Sequence, residues 1–253
     1  MKILCCVKRV PITGGRMVLT EDAQSLETRH LGFTISPHEE CAVEEAVRIV
    51  EAGGGEVVAL TLGPAEAEEQ LRDCMAIGAD RGILLRTDDE WDPQATAAAI
   101  VGAIRDESFD LLLFGNESAD AGNYQVGIRV AYALGYPVVT GLKKIELRSA
   151  DEHGGGARVE RDVGGARDVY EVALPAVLGV LEGLNLPRYP SVPGRLRAKS
   201  KPLAVVDVTR PASKLEKVRL VVPEGQGKQA EILGTGADAA PRVVEVLQQL
   251  GVA

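Results

Sequence analysis

The stretch best equipped for chemistry is residues 115–127, Gly-Asn-Glu-Ser-Ala-Asp-Ala-Gly-Asn-Tyr-Gln-Val-Gly. It follows an aliphatic run at 110–114 and leads into Ile128, Ala131 and Leu134, which have helical spacing. A strand, a glycine-containing turn and a helix start leave free backbone N–H groups at the carboxyl edge of a parallel sheet, where an anion or nucleotide can sit. The spacing is neither GxGxxG nor GxxxxGK[ST], so no dinucleotide fingerprint or P-loop supports the site. Asp120 has the wrong sign for a phosphate, and its natural partners are a ribose hydroxyl, an adenine amino group or a local cap. The alternative is a plain helix N-terminus capped by Ser118 or Asp120, and the residues alone do not choose between the two.

Two further clusters stand at the ends of expected elements. Residues 8–11, Lys-Arg-Val-Pro, put two cations after the first strand, where they could hold phosphate or an acidic partner, or be ordinary exposed charges. Residues 36–39, Ser-Pro-His-Glu, read as a helix start, with Ser36 as N-cap, Pro37 in the first turn and Glu39 in a capping role. A catalytic base at His38 is the sharper idea and the weaker one, because no motif places a nucleophile or partner acid beside it. A third region, 185–202, carries basic residues at 188, 195, 197, 199 and 201 with no acid, and Tyr189 and Val192 among prolines. It reads as a loop without regular structure that docks an acidic partner, with an apolar anchor such as Val192. Single-stranded nucleic acid is a poorer fit, since one Tyr makes a weak stacking platform.

These segments need a frame, and short aliphatic runs alternating with helical patterns supply one through the first 140 residues. Strands are expected at 3–7, 57–62, 82–85 and 110–114. Between the first two, Ala42, Val43, Ala46, Val47 and Val50 share a helical face, with Glu44, Glu45, Arg48 and Glu51 opposite. Helices are also expected after Pro64 and from about Pro93 to Ile104. After Pro137 the rhythm changes: 143–149, 157–163 and 167–173 read as antiparallel strands joined by Gly-rich turns at 153–156 and 164–165, and 174–180 as another buried strand. Beyond 202, a strand-like stretch at 203–208, a Gly-rich turn and an amphipathic helix from about 239 to 250 form an arm too small for its own core. The expected fold is α/β, a mainly parallel, Rossmann-like sheet flanked by helices, with a small antiparallel insertion and this arm. The expected division is 1–202, ending in the basic segment 184–202, and 203–253.

Composition bounds the function. The chain of 253 residues carries 28 Lys and Arg against 37 Asp and Glu, a formal net charge of −9, which argues against coating nucleic acid. Hydrophobic content of 45% excludes disorder. No apolar run reaches the roughly 18 residues of a membrane span, and the start has no secretory pattern, so a cytoplasmic protein is expected, or a mitochondrial matrix one in a eukaryote. Cys5, Cys6, Cys41 and Cys74 fit no ligand spacing, and the histidines at 30, 38 and 153 make no cluster. Buried thiols are expected rather than a Cys5/Cys6 redox pair, because neighbours on a strand face opposite ways.

In this order the segments resemble the β subunits of electron transfer flavoproteins. The resemblance rests on residues 6–11, 36–46, 63–69, 76–82, 115–127 and 186–193 and spans residues 1 to about 202, more weakly the arm. It implies a heterodimer with an α subunit that carries most of an FAD site, a buried adenine nucleotide, usually AMP, in this chain, and a loop that docks dehydrogenases. Electrons would pass from a dehydrogenase through the flavin to a quinone reductase or similar acceptor, with no substrate turned over by this chain. Carried over residue by residue, the nucleotide pocket is Cys6, Ser36, Pro37, His38, Glu39 and Leu62 with the turn Gly115, Asn116, Glu117, Ser118, Ala119, Asp120, Ala121, Gly122, Asn123, Tyr124, Gln125 and Val126. The docking anchor is Val192, where the family generally has Leu, with Tyr189, Arg195 and Arg197 around it.

The chain departs from the family's pattern at several of these positions. Ser36 stands where Asn is common and Ile12 where Asp is common, which removes two polar anchors. Members that bind AMP read Asn-Gln-Thr-Gly where this chain has Tyr124, Gln125, Val126 and Gly127, so the Thr hydroxyl on the phosphate side is missing. The Gln-Val-Gly ending is similar to members that bind a second FAD there and bifurcate electrons from NADH, yet those have Asp-Gly-Asp-Thr where residues 120–123 are Asp-Ala-Gly-Asn. AMP, a second FAD and a pocket partly filled by Tyr124 all stay open, as does a non-redox nucleotide-binding regulator of the same fold. With 3 Phe, 1 Trp and 5 Tyr, most ring contacts to a flavin are expected from the partner.

Overall fold

Buried parallel strands are read here from unbroken aliphatic runs, because both faces of such a strand meet helices. A computed structural model of the chain describes residues 1–12, 17–151, 154–212, 216–222 and 231–252. The first half runs β1 (Lys2–Cys6), β2 (Val10–Pro11), β3 (Phe33–Thr34), α1 (Pro37–Gly53), β4 (Glu56–Gly63), α2 (Glu68–Ile77), β5 (Arg81–Arg86), α3 (Pro93–Ile104), β6 (Leu111–Gly115) and α4 (Val126–Leu134). The second runs β7 (Val138–Leu142), β8 (Lys144–Asp151), β9 (Gly154–Val163), β10 (Ala166–Ala173), β11 (Ala176–Val180), α5 (Val192–Ala198), β12 (Leu203–Asp207) and α6 (Ala240–Gln249). One sheet of seven strands, in the order β12-β5-β4-β1-β6-β11-β7, forms the frame, and every pairing in it is parallel.

Alternation along β1 divides the core. Ile3 and Cys5 join a cluster with Val43, Val47, Leu71 and Met75 of α1 and α2, whereas Leu4 and Cys6 join Ile100, Ile104, Val130 and Ala131 of α3 and α4. Cys5 and Cys6 are therefore buried thiols on opposite faces, and burial pushes both thiols up, away from reactive thiolate. The strands β8, β9 and β10 form an antiparallel meander that carries the chain from β7 to β11, and Ile145, Ala157, Val159 and Val172 seal it onto the α1 side. Of the turn expected at 153–156, residue 153 lies outside the described residues and 154–156 begin β9, while the turn expected after 222 falls on 223–230, outside them.

The structure corrects the reading at four places. Residues 138–142 form a strand where none was expected, because a short run holding Gly141 at a sheet edge has little pattern of its own. The segment 184–202 contains a helix, α5, because Ser191 accepts the Gly194 N–H at 3.1 Å and Pro193 suits a first turn. Leu203–Asp207 belongs to the main sheet, pairing with β5 along its whole length, and so does not start the arm. Glu44, expected on the outer face of α1, is 1% exposed, and its carboxylate takes Arg48 at 2.6 Å and Arg188 at 2.8 Å.

Candidate functional site

Strand order reverses beside β1: the chain moves outward through β4 and β5, then returns to place β6 on the other side. That reversal opens a crevice beyond the carboxyl ends of β1, β4 and β6, the usual ligand position in such sheets. A cavity of about 280 Å³ lies there. Its walls include Cys6, Leu60, Leu62 and Phe114 as an apolar part and Lys8, Arg9, Glu39, Asn116, Glu117 and Gln125 as a polar one.

Of the residues proposed for the pocket, Cys6, Glu39, Leu62, Gly115, Asn116, Glu117, Ser118, Ala121, Asn123, Tyr124, Gln125 and Val126 line the cavity. Ser36, Pro37, His38, Ala119, Asp120 and Gly122 stand behind the wall and shape it. The Ser36 hydroxyl accepts the Ala119 N–H at 2.9 Å, tying the start of α1 to the turn after β6. His38 Nδ1 accepts the Glu182 N–H at 2.9 Å, leaving Nε2 facing Glu117 Oε1 at 3.6 Å. His38 thus has Nδ1 tied to the Glu182 backbone and Nε2 turned toward the Glu117 carboxylate. Pro37 opens α1. Neither Ser118 nor Asp120 caps α4, since that helix starts at Val126 and its N-cap, Gln125, instead accepts Arg129 through Oε1 at 2.9 Å. Asp120 faces Lys8, with Nζ 2.6 Å from Oδ2; burial pushes the Asp120 carboxyl up, and Lys8 together with Ser118 and the Ala121 N–H more than reverses it.

Glu39 is the most perturbed carboxyl of the wall. Its Oε2 accepts the N–H groups of Lys8 and Ser36 at 3.1 Å each, the reach-back half of the expected capping role. Burial nevertheless dominates, and the carboxyl is pushed up to about 8. With Oε2 occupied by two donors, Oε1 is the oxygen that carries the proton at neutral pH. Gly115 makes this packing feasible: a Cβ there would lie 2.7 Å from Glu39 Cγ. Tyr124 takes φ of +56°, a left-handed backbone uncommon for a bulky residue, and hydrogen bonding to Glu117 pushes its phenol up.

The sequence reading missed Trp91, Pro93 and Thr96, which close the side of the cavity next to α3. Asp92 caps that helix, accepting the N–H groups of Gln94 and Ala95 at 2.9 Å, and so fixes the loop that presents Trp91. The Asp-Pro pair before an apolar helix was the available signal.

The docking residues lie elsewhere, beyond β11. Tyr189 is 95% and Val192 73% exposed, and Leu186 and Leu196 stand exposed beside them. The positive charge there is partly paired: Arg188 with Glu44 and Glu51, Arg195 with Asp73 at 2.6 Å, and Lys201 Nζ with the carbonyls of Met75 and Ala79. Arg197 and Lys199 have no ion-pair partner among the described residues.

A parallel sheet covered on both faces, with a mixed polar and apolar cavity at its topological switch, defines an α/β protein of the ligand-binding class. Known proteins narrow this. A family model described as an electron transfer flavoprotein domain matches residues 25–211. The electron transfer flavoprotein subunit beta of Bacillus subtilis (strain 168) is 31% identical over 258 aligned positions, 98% of each chain. The mitochondrial subunit beta of Arabidopsis thaliana is 38% identical over 210 positions, 82% of each chain. The caffeyl-CoA reductase-Etf complex subunit CarD of Acetobacterium woodii is 34% identical over 211 positions, 81% of this chain and 78% of its own. The chain belongs to the electron transfer flavoprotein β-subunit family, which sets aside the reading as a non-redox regulator. No helix among the described residues is long and apolar enough to cross a membrane.

Proposed function

We propose that the chain works in the cytoplasm as the β half of a heterodimer, relaying electrons from dehydrogenases to a quinone reductase or similar acceptor through an FAD shared with the α subunit. The flavin supplies reversible electron uptake and release. This chain's own residues bind, orient and dock. The observation that carries the reading is the convergence of Ser36–Glu39 and residues 115–126 on one cavity at the switch of the sheet.

The cavity's composition fits an adenine nucleotide. Leu60, Leu62 and Phe114 offer apolar surface to a flat ring, and Asn116, Asn123 and Gln125 offer donors and acceptors to its edge and to a ribose. AMP is the occupant this size favours. A second FAD is the other reading, favoured by one observation: a wider groove of about 670 Å³ shares Glu90, Trp91, Pro93 and Asn123 with the cavity, giving a longer ligand somewhere to extend.

The remaining surfaces divide between two partners. Dehydrogenases meet the segment 184–202, where Val192 is the anchor and Tyr189, Arg195 and Arg197 surround it. The α subunit takes the arm beyond β12, since α6 buries nothing on its own chain and exposes Val243 and Val244. Co-purification with the α subunit tests the cofactor reading. One FAD and one released AMP per heterodimer is expected, two FAD and no AMP selects the second reading, and no flavin sinks both.

A further inference from the structure

The two adjacent cations after β1 meet different fates. Lys8 is neutralised, its Nζ lying 2.6 Å from Asp120 Oδ2. Arg9 lines the same cavity, yet among the described residues it has no ion-pair partner, and no hydrogen bond from its guanidinium is found. Its Nε is sealed from water without an acceptor, which leaves the two terminal nitrogens as the donors open to the cavity. The guanidinium is also held in place, with Cζ 3.3 Å from the centre of the Phe33 ring. Five N–H donors left unanswered among the described residues, on a group fixed by stacking at a cavity wall, form a receptor awaiting an anion.

The charges around the wall restrict where that anion can sit. Asp89, Glu90 and Glu117 also line the cavity and repel a phosphate, Glu90 being held by Lys217 and Glu117 lying beside His38. Glu39 is neutralised by burial. The turn itself has Val126 where a hydroxyl would have helped. Arg9 is thus the lining cation with no carboxylate in contact among the described residues, Glu66 and Glu69 acting on it only through space. We propose that Arg9 anchors the phosphate of the nucleotide in this cavity, its two terminal nitrogens gripping two phosphate oxygens while Phe33 fixes the guanidinium plane. This rests on the nucleotide reading given above, and the phosphate can come from AMP or from the diphosphate of FAD.

The test uses the heterodimer, stripped of nucleotide and titrated with AMP, adenosine and FAD. Arg9→Met keeps an unbranched apolar chain against Phe33 and removes the charge. It should weaken AMP by roughly 10- to 100-fold and leave adenosine within about twofold. Arg9→Lys should fall between, and raising salt should weaken AMP for the wild type more than for Arg9→Met. Unchanged AMP affinity, or an equal loss for adenosine, overturns the assignment and leaves Arg9 a packing residue. If the wild type takes FAD and not AMP, the loss must appear with FAD, and its absence there refutes the proposal. A wild type that binds none of the three refutes the nucleotide reading itself and the role of Arg9 with it.

Discussion

Around the cavity, charged side chains other than Arg9 are turned onto one another or buried; along 186–198, charge anchors the segment so that apolar side chains can face outward. Lys8 meets Asp120, and Glu39 is held by two backbone N–H groups in a site where it stays protonated. On the docking side, Arg188 grips Glu44 and Glu51 on α1, Arg195 grips Asp73 on α2, and Gly194 approaches so closely that a Cβ would lie 2.5 Å from the Ala76 carbonyl oxygen. Polar groups therefore build the interior of one region and only the footing of the other. A binding site for a small ligand needs its donors fixed and dry, whereas a surface for a passing protein needs apolar area on a firm base.

The contrast can be broken from the cavity side first. Glu39→Gln keeps an acceptor for Lys8 and Ser36 and removes the titration. The folded carboxyl titrates near 8 against 4.5 for the ordinary group. The folded state thus binds more protons between those values, and the stability this gives is complete below 4.5 and lost as pH rises through 8. Wild-type stability relative to the variant should fall by a few kcal/mol across that window, read from denaturation midpoints at a series of pH values. A constant difference would show that Glu39 is ionised in the folded protein.

The footing of the docking segment comes next in size. Glu44→Ala leaves Arg48 and Arg188, both more than a third exposed, without their shared carboxylate, at a cost of about 1 to 2 kcal/mol. Reduction by a dehydrogenase should slow as well, because the segment loses its hold on α1, while nucleotide content stays the same. Release of the nucleotide in step with that loss would show that the regions are coupled.

The smallest change sharpens the comparison most. Val192→Ala, at a side chain 73% exposed, should leave stability and flavin content unaltered and slow electron transfer from the dehydrogenase by about tenfold. Stopped-flow reduction with matched flavin spectra measures both quantities. Equal loss of flavin and rate would erase the distinction between the two surfaces.

Much of the frame was legible because buried parallel strands have no choice of residue. Lys2–Cys6, Glu56–Gly63 and Leu111–Gly115 stand out as aliphatic runs, and Ser36, Pro37 and Gly54 punctuate α1. The edge strands β7 and β12 were hidden or misassigned, since an edge strand buries one face at most and owes its identity to the neighbour it pairs with. For the candidate site, the segments were readable and the directions of their side chains were not. Glu44 shows why: helical periodicity placed it outward, and only the return of Arg188 from a segment 144 residues further along gave a buried carboxylate its partner.

By itself the sequence determined the α/β class, the aliphatic core, the order of the segments and the family they resemble, because these depend on local pattern and composition. The tertiary structure alone decided which of two neighbouring cations is spent and which is free, which acid stays protonated, and where the basic segment is pinned. Those outcomes depend on distances between residues far apart in the chain, and electrostatic energies change too steeply with distance and burial for order along a sequence to settle them.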